Sequence, residues 1–195
     1  MNVLRRVTQT NLRRWSKSSK MRISPSFKRH FSSTNSLVGT SIPFTKFWTT
    51  TADGPKEITT DDIFKNKKVV GFTIVGAYTG ICRNDHLPSF VANKDKLKAK
   101  GVDDIICIAV NDIFVMQAFK EDVNGDGITM LTDIDNSFCT ALNKTIDLGP
   151  GKGFGVRPKR FSFYVDNGVI KKYFEESEVG QVKVTDAETI LKELI

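Results

Sequence analysis

Apolar residues fall along this chain in two rhythms. Residues 67–75 (KKVVGFTIV) are rich in β-branched side chains and almost continuously apolar, the pattern of a strand buried on both faces. Residues 104–110 (DIICIAV) repeat it. Between them a helix is predicted over 81–100, with Leu87, Phe90, Val91 and Leu97 turned inward and Gly101 as its stop. Asn111 or Asp112 is placed to cap a helix over 113–121. Residues 128–131 predict a short strand and 135–142 a short helix. Two further strands, 160–165 and 169–174, flank Asp166-Asn167-Gly168, a strong hairpin turn. Thr185-Asp186-Ala187-Glu188 has the form of a capping box and opens a last helix with Ala187, Ile190, Leu191 and Leu194 on one face. Residues 37–60 are polar, with Gly, Pro and Thr, and are expected to wrap the domain as short strands or loop. The order βαβαβα, then ββα, predicts an α/β fold with a central mixed sheet flanked by helices on both faces.

Charge changes this picture only at the N-terminus. The chain has 195 residues and a formal net charge of +7. Residues 1–36 hold nine Lys or Arg and no Asp or Glu, which leaves 20 basic against 22 acidic residues from 37 onward. A nucleic-acid surface needs its positive charge on the folded domain, so the near-neutral body argues against that partner. No apolar run approaches the roughly 20 residues of a membrane span. The leader is rich in Arg, Ser and Thr and lacks the apolar segment of a secretory signal, which is the pattern of an organelle transit peptide. Leu4, Val7, Leu12 and Trp15 form an apolar stripe opposite Arg5, Arg6, Arg13 and Arg14, and Arg29-His30-Phe31-Ser32 resembles a matrix-protease cleavage site. The expected division is a transit peptide over 1–36 and one domain over 37–195. The arginines favour the mitochondrial matrix, with a plastid second. A basic arm for RNA or acidic lipid is the competing reading.

Three cysteines occur, Cys82, Cys107 and Cys139. An organelle matrix keeps thiols reduced, so a structural disulfide framework is not expected. Cys82 follows the first central strand by a short turn and stands at the start of a helix. Backbone N–H groups and the helix dipole converge there, and both favour a thiolate. Strand ends of open α/β sheets are also where ligands bind. The alternative is an inert core cysteine. Thr79 and Asp85 occupy the places where a CxxC partner would stand, so dithiol exchange at this helix is excluded.

Val75-Gly76-Ala77-Tyr78-Thr79-Gly80-Ile81-Cys82 resembles the peroxiredoxin signature PxxxTxxC. GAYTGIC followed by Asp85-His86-Leu87-Pro88 is similar to the type II, peroxiredoxin-5-like members, most of all the plant mitochondrial form. The likeness continues through KAKGVDDIICIAVND (98–112) and Gly155 to Gly168. It implies a thioredoxin-like fold and a thiol peroxidase active on hydrogen peroxide and alkyl hydroperoxides. By this resemblance Cys82 is the peroxidatic nucleophile, passing from thiolate to sulfenic acid. Thr79 hydrogen-bonds the thiolate and the peroxide, and Arg160 supplies a fixed positive charge that favours the thiolate and polarises the O–O bond. Val75, Gly76 and His86 belong to the pocket. Cys107 is the candidate resolving thiol, with an inert core cysteine as the alternative. Arg157 and Lys159 are expected to be solvated. The resemblance also implies no metal or bound cofactor, thioredoxin or glutathione with glutaredoxin as reductant, and a homodimer formed across the active-site side. The sequence departs from the family at Val75, which replaces the motif proline, and at Ile113. A catalytically weak redox sensor or binding module on the same fold is the rival function.

Other signals carry less. Asp122-Val123-Asn124-Gly125-Asp126-Gly127 resembles the start of a calcium loop, but Ile128 is one place early for its apolar anchor and the last position is Asp133. Cys82, His86, Cys107 and Cys139 lack the paired spacing of a zinc set. Cys139 is expected to pack on a short amphipathic helix. Residues 149–155 (GPGKGFG) lack the ending of a phosphate loop and predict a flexible approach to Arg160.

Overall fold

A computed structural model describes residues 37–194. The apolar stripe of residues 4–15 and the cleavage-like site before Ser32 lie outside them. The described chain begins along the sheet edge, where Gly39 donates to the Ile170 carbonyl and Ile42 to that of Gly168. A hairpin follows, β1 (Lys46–Thr51) and β2 (Gly54–Thr59), then a one-turn helix α1 (Thr60–Phe64). Next come β3 (Lys68–Thr73), a π-helical turn at Cys82–His86 that runs straight into α2 (Leu87–Ala99), and β4 (Asp104–Ala109). Then α3 (Ile113–Asp122), β5 (Thr129–Thr132) and α4 (Ser137–Ala141) complete the alternating half. A small hairpin, β6 (Thr145–Asp147) with β7 (Val156–Pro158), precedes β8 (Phe161–Asp166), β9 (Val169–Glu175) and α5 (Ala187–Glu193).

Seven strands form one sheet in the order β2-β1-β5-β4-β3-β8-β9. β3, β4 and β5 are parallel, and β8 returns antiparallel beside β3. The continuous apolar runs are explained by alternation across this sheet. Val70, Phe72, Ile105 and Cys107 face one core with Leu87, Phe90 and Leu97 of α2, Met116 and Phe119 of α3, and Ile190 of α5. Val69, Ile106, Ile108 and Phe163 face the other, with Phe64 of α1 and Phe138 of α4. Local signals agree. Gly101 ends α2 at φ 84°, and Asn167 and Gly168 take φ 46° and 76° in the tight hairpin turn. No described helix is long and apolar enough to cross a membrane.

Three expectations are corrected. The last helix is capped by Asp186, whose side chain accepts from Thr189 N; Thr185 is buried and donates its hydroxyl to Glu176 instead. Tertiary burial has therefore displaced the cap by one residue. Residues 149–155 are the turn of the β6–β7 hairpin, closed by Leu148 N to Gly155 O at 2.9 Å. The helix after β3 starts with a π-helical turn, a form that apolar periodicity does not show.

Candidate active site

Beyond the C-terminal end of β3 the chain makes a tight loop. Thr79 N approaches the Gly76 carbonyl, and Asn111 Oδ1 takes Ala77 N at 2.9 Å. Tyr78 sits at φ 61°, a costly conformation for a bulky residue, with its ring 5.2 Å from that of Phe119. The loop delivers Cys82 into the core facing α2, fully buried beside Val75 in the same apolar cluster.

Arg160 stands at the foot of β8 and is only 2% exposed. Its placement comes from Thr73 on β3, whose hydroxyl donates to Lys159 O at 2.6 Å and accepts from Phe161 N at 3.0 Å. These two bonds grip the chain on either side of Arg160. The guanidinium then makes four contacts. Nη2 donates to Cys82 Sγ at 3.3 Å and to Val179 O at 2.9 Å; Nε donates to the same carbonyl at 3.1 Å; Nη1 meets His86 Nδ1 at 2.9 Å. Among the described residues Arg160 forms no ion pair with a carboxylate.

Arginine has only donors, so His86 Nδ1 must accept, and the ring proton lies on Nε2, which donates to Thr185 O at 3.0 Å. Phe72 and Phe90 meet the imidazole edge-on at 5.1 and 5.7 Å. Burial, and then the Arg160 charge, push His86 down from 6.5 to about 3. The imidazole is thus neutral in the fold while the unfolded chain protonates it near its ordinary value. Between those two values the unfolded state holds more protons, so stability falls as pH falls. From pH 7 to 5 we expect a loss of about 2 kcal/mol from this group. Urea unfolding at the two pH values checks it. A His86→Gln variant should lose that part of the slope; equal slopes would show an imidazole that protonates in place.

Two sequence expectations need correction here. The Thr79 hydroxyl donates to Gly76 O at 2.9 Å rather than to the sulfur. Arg157 and Lys159 are half-exposed but partnered rather than free in solvent: Arg157 donates to Phe154 O at 2.6 Å and Val75 O at 3.3 Å, and Lys159 pairs with Glu175 at 3.1 Å. Arg157 thereby fastens the β6–β7 turn to the loop beside Cys82, and its Nη1 lies 3.1 Å from where a Cβ on Gly76 would stand. Sequence gave no signal for Thr73, which reads as an ordinary strand residue.

Cys107 lies in the middle of β4, fully buried on the same face as Cys82. Burial, with the neighbouring Cys82, pushes its thiol well up. Cys139 sits in the opposite core, so the sheet separates it from Cys82 and His86. Of the calcium-like segment, Asp122 pairs with Arg83 at 2.7 Å and Asp133 caps α4 through Phe138 N and Cys139 N.

A sheet of this topology, with a buried thiol held against a buried arginine at a strand end and no CxxC pair, is the frame of a thiol-redox protein. Comparison with known proteins narrows the class. The Redoxin family model matches residues 37–191. The chain is 43% identical over 134 residues to mitochondrial peroxiredoxin-2F of Oryza sativa subsp. japonica, covering 68% of this chain and 67% of that one. It is 39% identical over 165 residues to the hybrid peroxiredoxin hyPrx5 of Haemophilus influenzae, covering 82% and 67%. Reduced Prx3 of Vibrio vulnificus, solved in complex with hydrogen peroxide, superposes with a TM-score of 0.77 at 37% identity, covering 81% of this chain and 98% of that one. The chain belongs to the redoxin family, among the type II, peroxiredoxin-5-like peroxiredoxins. Its activity is that of a thiol peroxidase.

Proposed function

We propose that Cys82 is the peroxidatic thiol and that it reduces hydrogen peroxide and small alkyl hydroperoxides. The observation that carries this is the Arg160 Nη2–Cys82 Sγ contact of 3.3 Å between two buried side chains. A buried cation without a carboxylate is costly. With neutral His86 as its other side-chain partner, the anion best placed to offset it is the Cys82 thiolate. The thiolate attacks the terminal peroxide oxygen and the O–O bond breaks. The leaving oxygen departs as water or alcohol after taking a proton, and the sulfur is left as sulfenic acid. Four of the five Arg160 N–H groups are engaged in these contacts, so the remaining Nη1 proton is the one that follows the developing negative charge on the leaving oxygen. Thr79, one turn before Cys82, orients the peroxide through its oxygen. Val75 and Gly76 form the wall, with Val75 supplying an apolar side chain where the family motif has proline.

Regeneration proceeds through thioredoxin, or through glutathione with glutaredoxin. Cys107 is the resolving thiol in this reading. Both sulfurs are fully buried, and Cys107 is held in the β3–β4–β5 ladder. Disulfide formation therefore requires the turn Cys82–His86 to unwind first. An organelle, mitochondrion before plastid, is the proposed location; named relatives include mitochondrial peroxiredoxin-2F of rice and chloroplastic peroxiredoxin-2E of Arabidopsis thaliana. A homodimer across the active-site side is supported by exposed Tyr78 on the site loop and Phe114 at the adjoining start of α3.

The test is the peroxide-dependent oxidation rate of Cys82, with Cys82→Ser as control. A rate no better than that of free cysteine would reject the assignment. Cys107→Ser is expected to leave that first oxidation intact and to remove the Cys82–Cys107 disulfide, read by peptide mapping without reductant. Undiminished thioredoxin-dependent turnover in Cys107→Ser would reject the resolving role.

A further inference from the structure

The loop between β9 and α5 touches the site twice without contributing a side chain to it. Val179 O receives Nε and Nη2 of Arg160, and Thr185 O receives Nε2 of His86. Each carbonyl lies where the loop puts it, and residues 176–186 have no helix or strand to fix them. One carboxylate does so instead. Glu176 is 7% exposed, and its Oε1 accepts from Lys183 N at 2.7 Å, Val184 N at 2.8 Å, Thr185 N at 3.0 Å and the Thr185 hydroxyl at 3.0 Å. Its own N–H donates to Arg160 O at 3.0 Å. Burial alone would raise this carboxyl; the donors of Val184, Lys183 and Thr185 outweigh it and hold it below the ordinary glutamate value. The interaction is ion to amide, and it draws the far end of the loop back onto the strand beside Arg160.

We propose that Glu176 is a positioning residue for the thiol site. By holding residues 183–185 it fixes the Thr185 carbonyl on His86 Nε2, which leaves Nδ1 bare to accept from Arg160 and keeps the guanidinium against Cys82 Sγ. The chain of dependence follows from donor counting. A neutral imidazole carries one proton. If the Thr185 carbonyl moves away, nothing holds that proton on Nε2, and the Nδ1–H tautomer would point a donor at a donor. Arg160 would then leave the sulfur or lose a bond. This inference rests on the assignment of Cys82 and Arg160 to the chemistry.

Glu176→Ala, Glu176→Gln and Thr185→Val in the full chain test it. Three quantities are read: the second-order rate with hydrogen peroxide, the pH profile of Cys82 alkylation, and the His86 tautomer by imidazole nitrogen NMR. The charged and titratable groups facing Cys82 are Arg160 from the foot of β8, His86 from its own turn and Cys107 from β4. Glu176→Ala is expected to lose about tenfold in rate at neutral pH and to move the alkylation profile up by about one pH unit. Nε2–H should cease to be the sole His86 tautomer. Glu176→Gln keeps an accepting oxygen and should recover most of both; Thr185→Val should fall between. Gly71→Ala, a destabilising change in the opposite core, should leave profile and tautomer alone. An unchanged profile and tautomer in folded Glu176→Ala would overturn the proposal, as would equal shifts in Gly71→Ala. Should Glu176→Ala not fold, the same readings in Glu176→Gln and Thr185→Val decide. If wild-type Cys82 reacts no faster than free cysteine, the catalytic assignment fails by itself, and the tautomer still confirms or rejects the link from Glu176 to His86.

Discussion

Arg160→Met is expected to slow peroxide reduction by Cys82 about 10²- to 10³-fold, the scale seen when one preorganised charge donor is removed from a transition state. Methionine fills similar volume but offers neither charge nor proton. The cost is not confined to rate. Cys82 Sγ, His86 Nδ1 and Val179 O would all lose their Arg160 donor in a buried site. A buried acceptor left bare costs about 1–3 kcal/mol, partly offset by relief of a desolvated cation. A net loss of stability should therefore accompany the loss of rate. Arg160→Lys should do nearly as badly, because the three ammonium donors radiate from one nitrogen, whereas these acceptors are reached from three separate guanidinium nitrogens. Stopped-flow oxidation of Cys82 measures the first effect and urea unfolding the second. A variant retaining more than a tenth of the wild-type rate would remove Arg160 from the mechanism.

Gly71→Val is expected to be among the most destabilising single changes in the sheet. By propensity valine belongs in a strand and glycine does not, and that preference is worth at most about 1 kcal/mol. The site reverses it. A Cβ on Gly71 would lie 2.3 Å from Phe163 Cζ and within 2.8 Å of two more ring atoms. Phe163 is 1% exposed, and the rings of Phe161, Phe138 and Phe64 surround it at 5.8, 6.2 and 6.3 Å. It has nowhere to go. Gly71→Ala should cost about 1–3 kcal/mol, as overpacking does, and Gly71→Val more. At roughly 2–4 °C per kcal/mol for a domain of this size, Gly71→Ala should melt several degrees lower. Combining it with Phe163→Leu should restore part of the loss. A higher melting temperature for Gly71→Ala would mean that propensity, not the ring contact, governs this strand.

These two residues also mark where sequence stops being informative. In the sequence Gly71 is one letter of a nearly continuous apolar run; only the register Gly71–Phe163 shows that the glycine makes room for a ring. Arg160, read without the family likeness, was a charge at the end of a strand. Its placement depends on Thr73, 87 positions earlier in the chain, and on the Val179 carbonyl of a loop that follows it. Thr79 shows the reverse: its place in the motif was legible, but its hydroxyl bonds to Gly76 O.

Consecutive residues alone carry the α/β class, the strand and helix order, the near-neutral body behind a basic N-terminal segment, and Cys82 as the thiol at a strand end. Those follow from local pattern: apolar period, turn residues and spacing are written in consecutive letters. Tertiary structure decided which partner each polar group meets. It sent Thr185 to Glu176, Arg157 to Val75, and His86 to Arg160 with one tautomer. A buried donor or acceptor takes whatever the fold brings within about 3 Å, and that neighbour comes from another element whose distance along the chain carries no trace of its nearness in space.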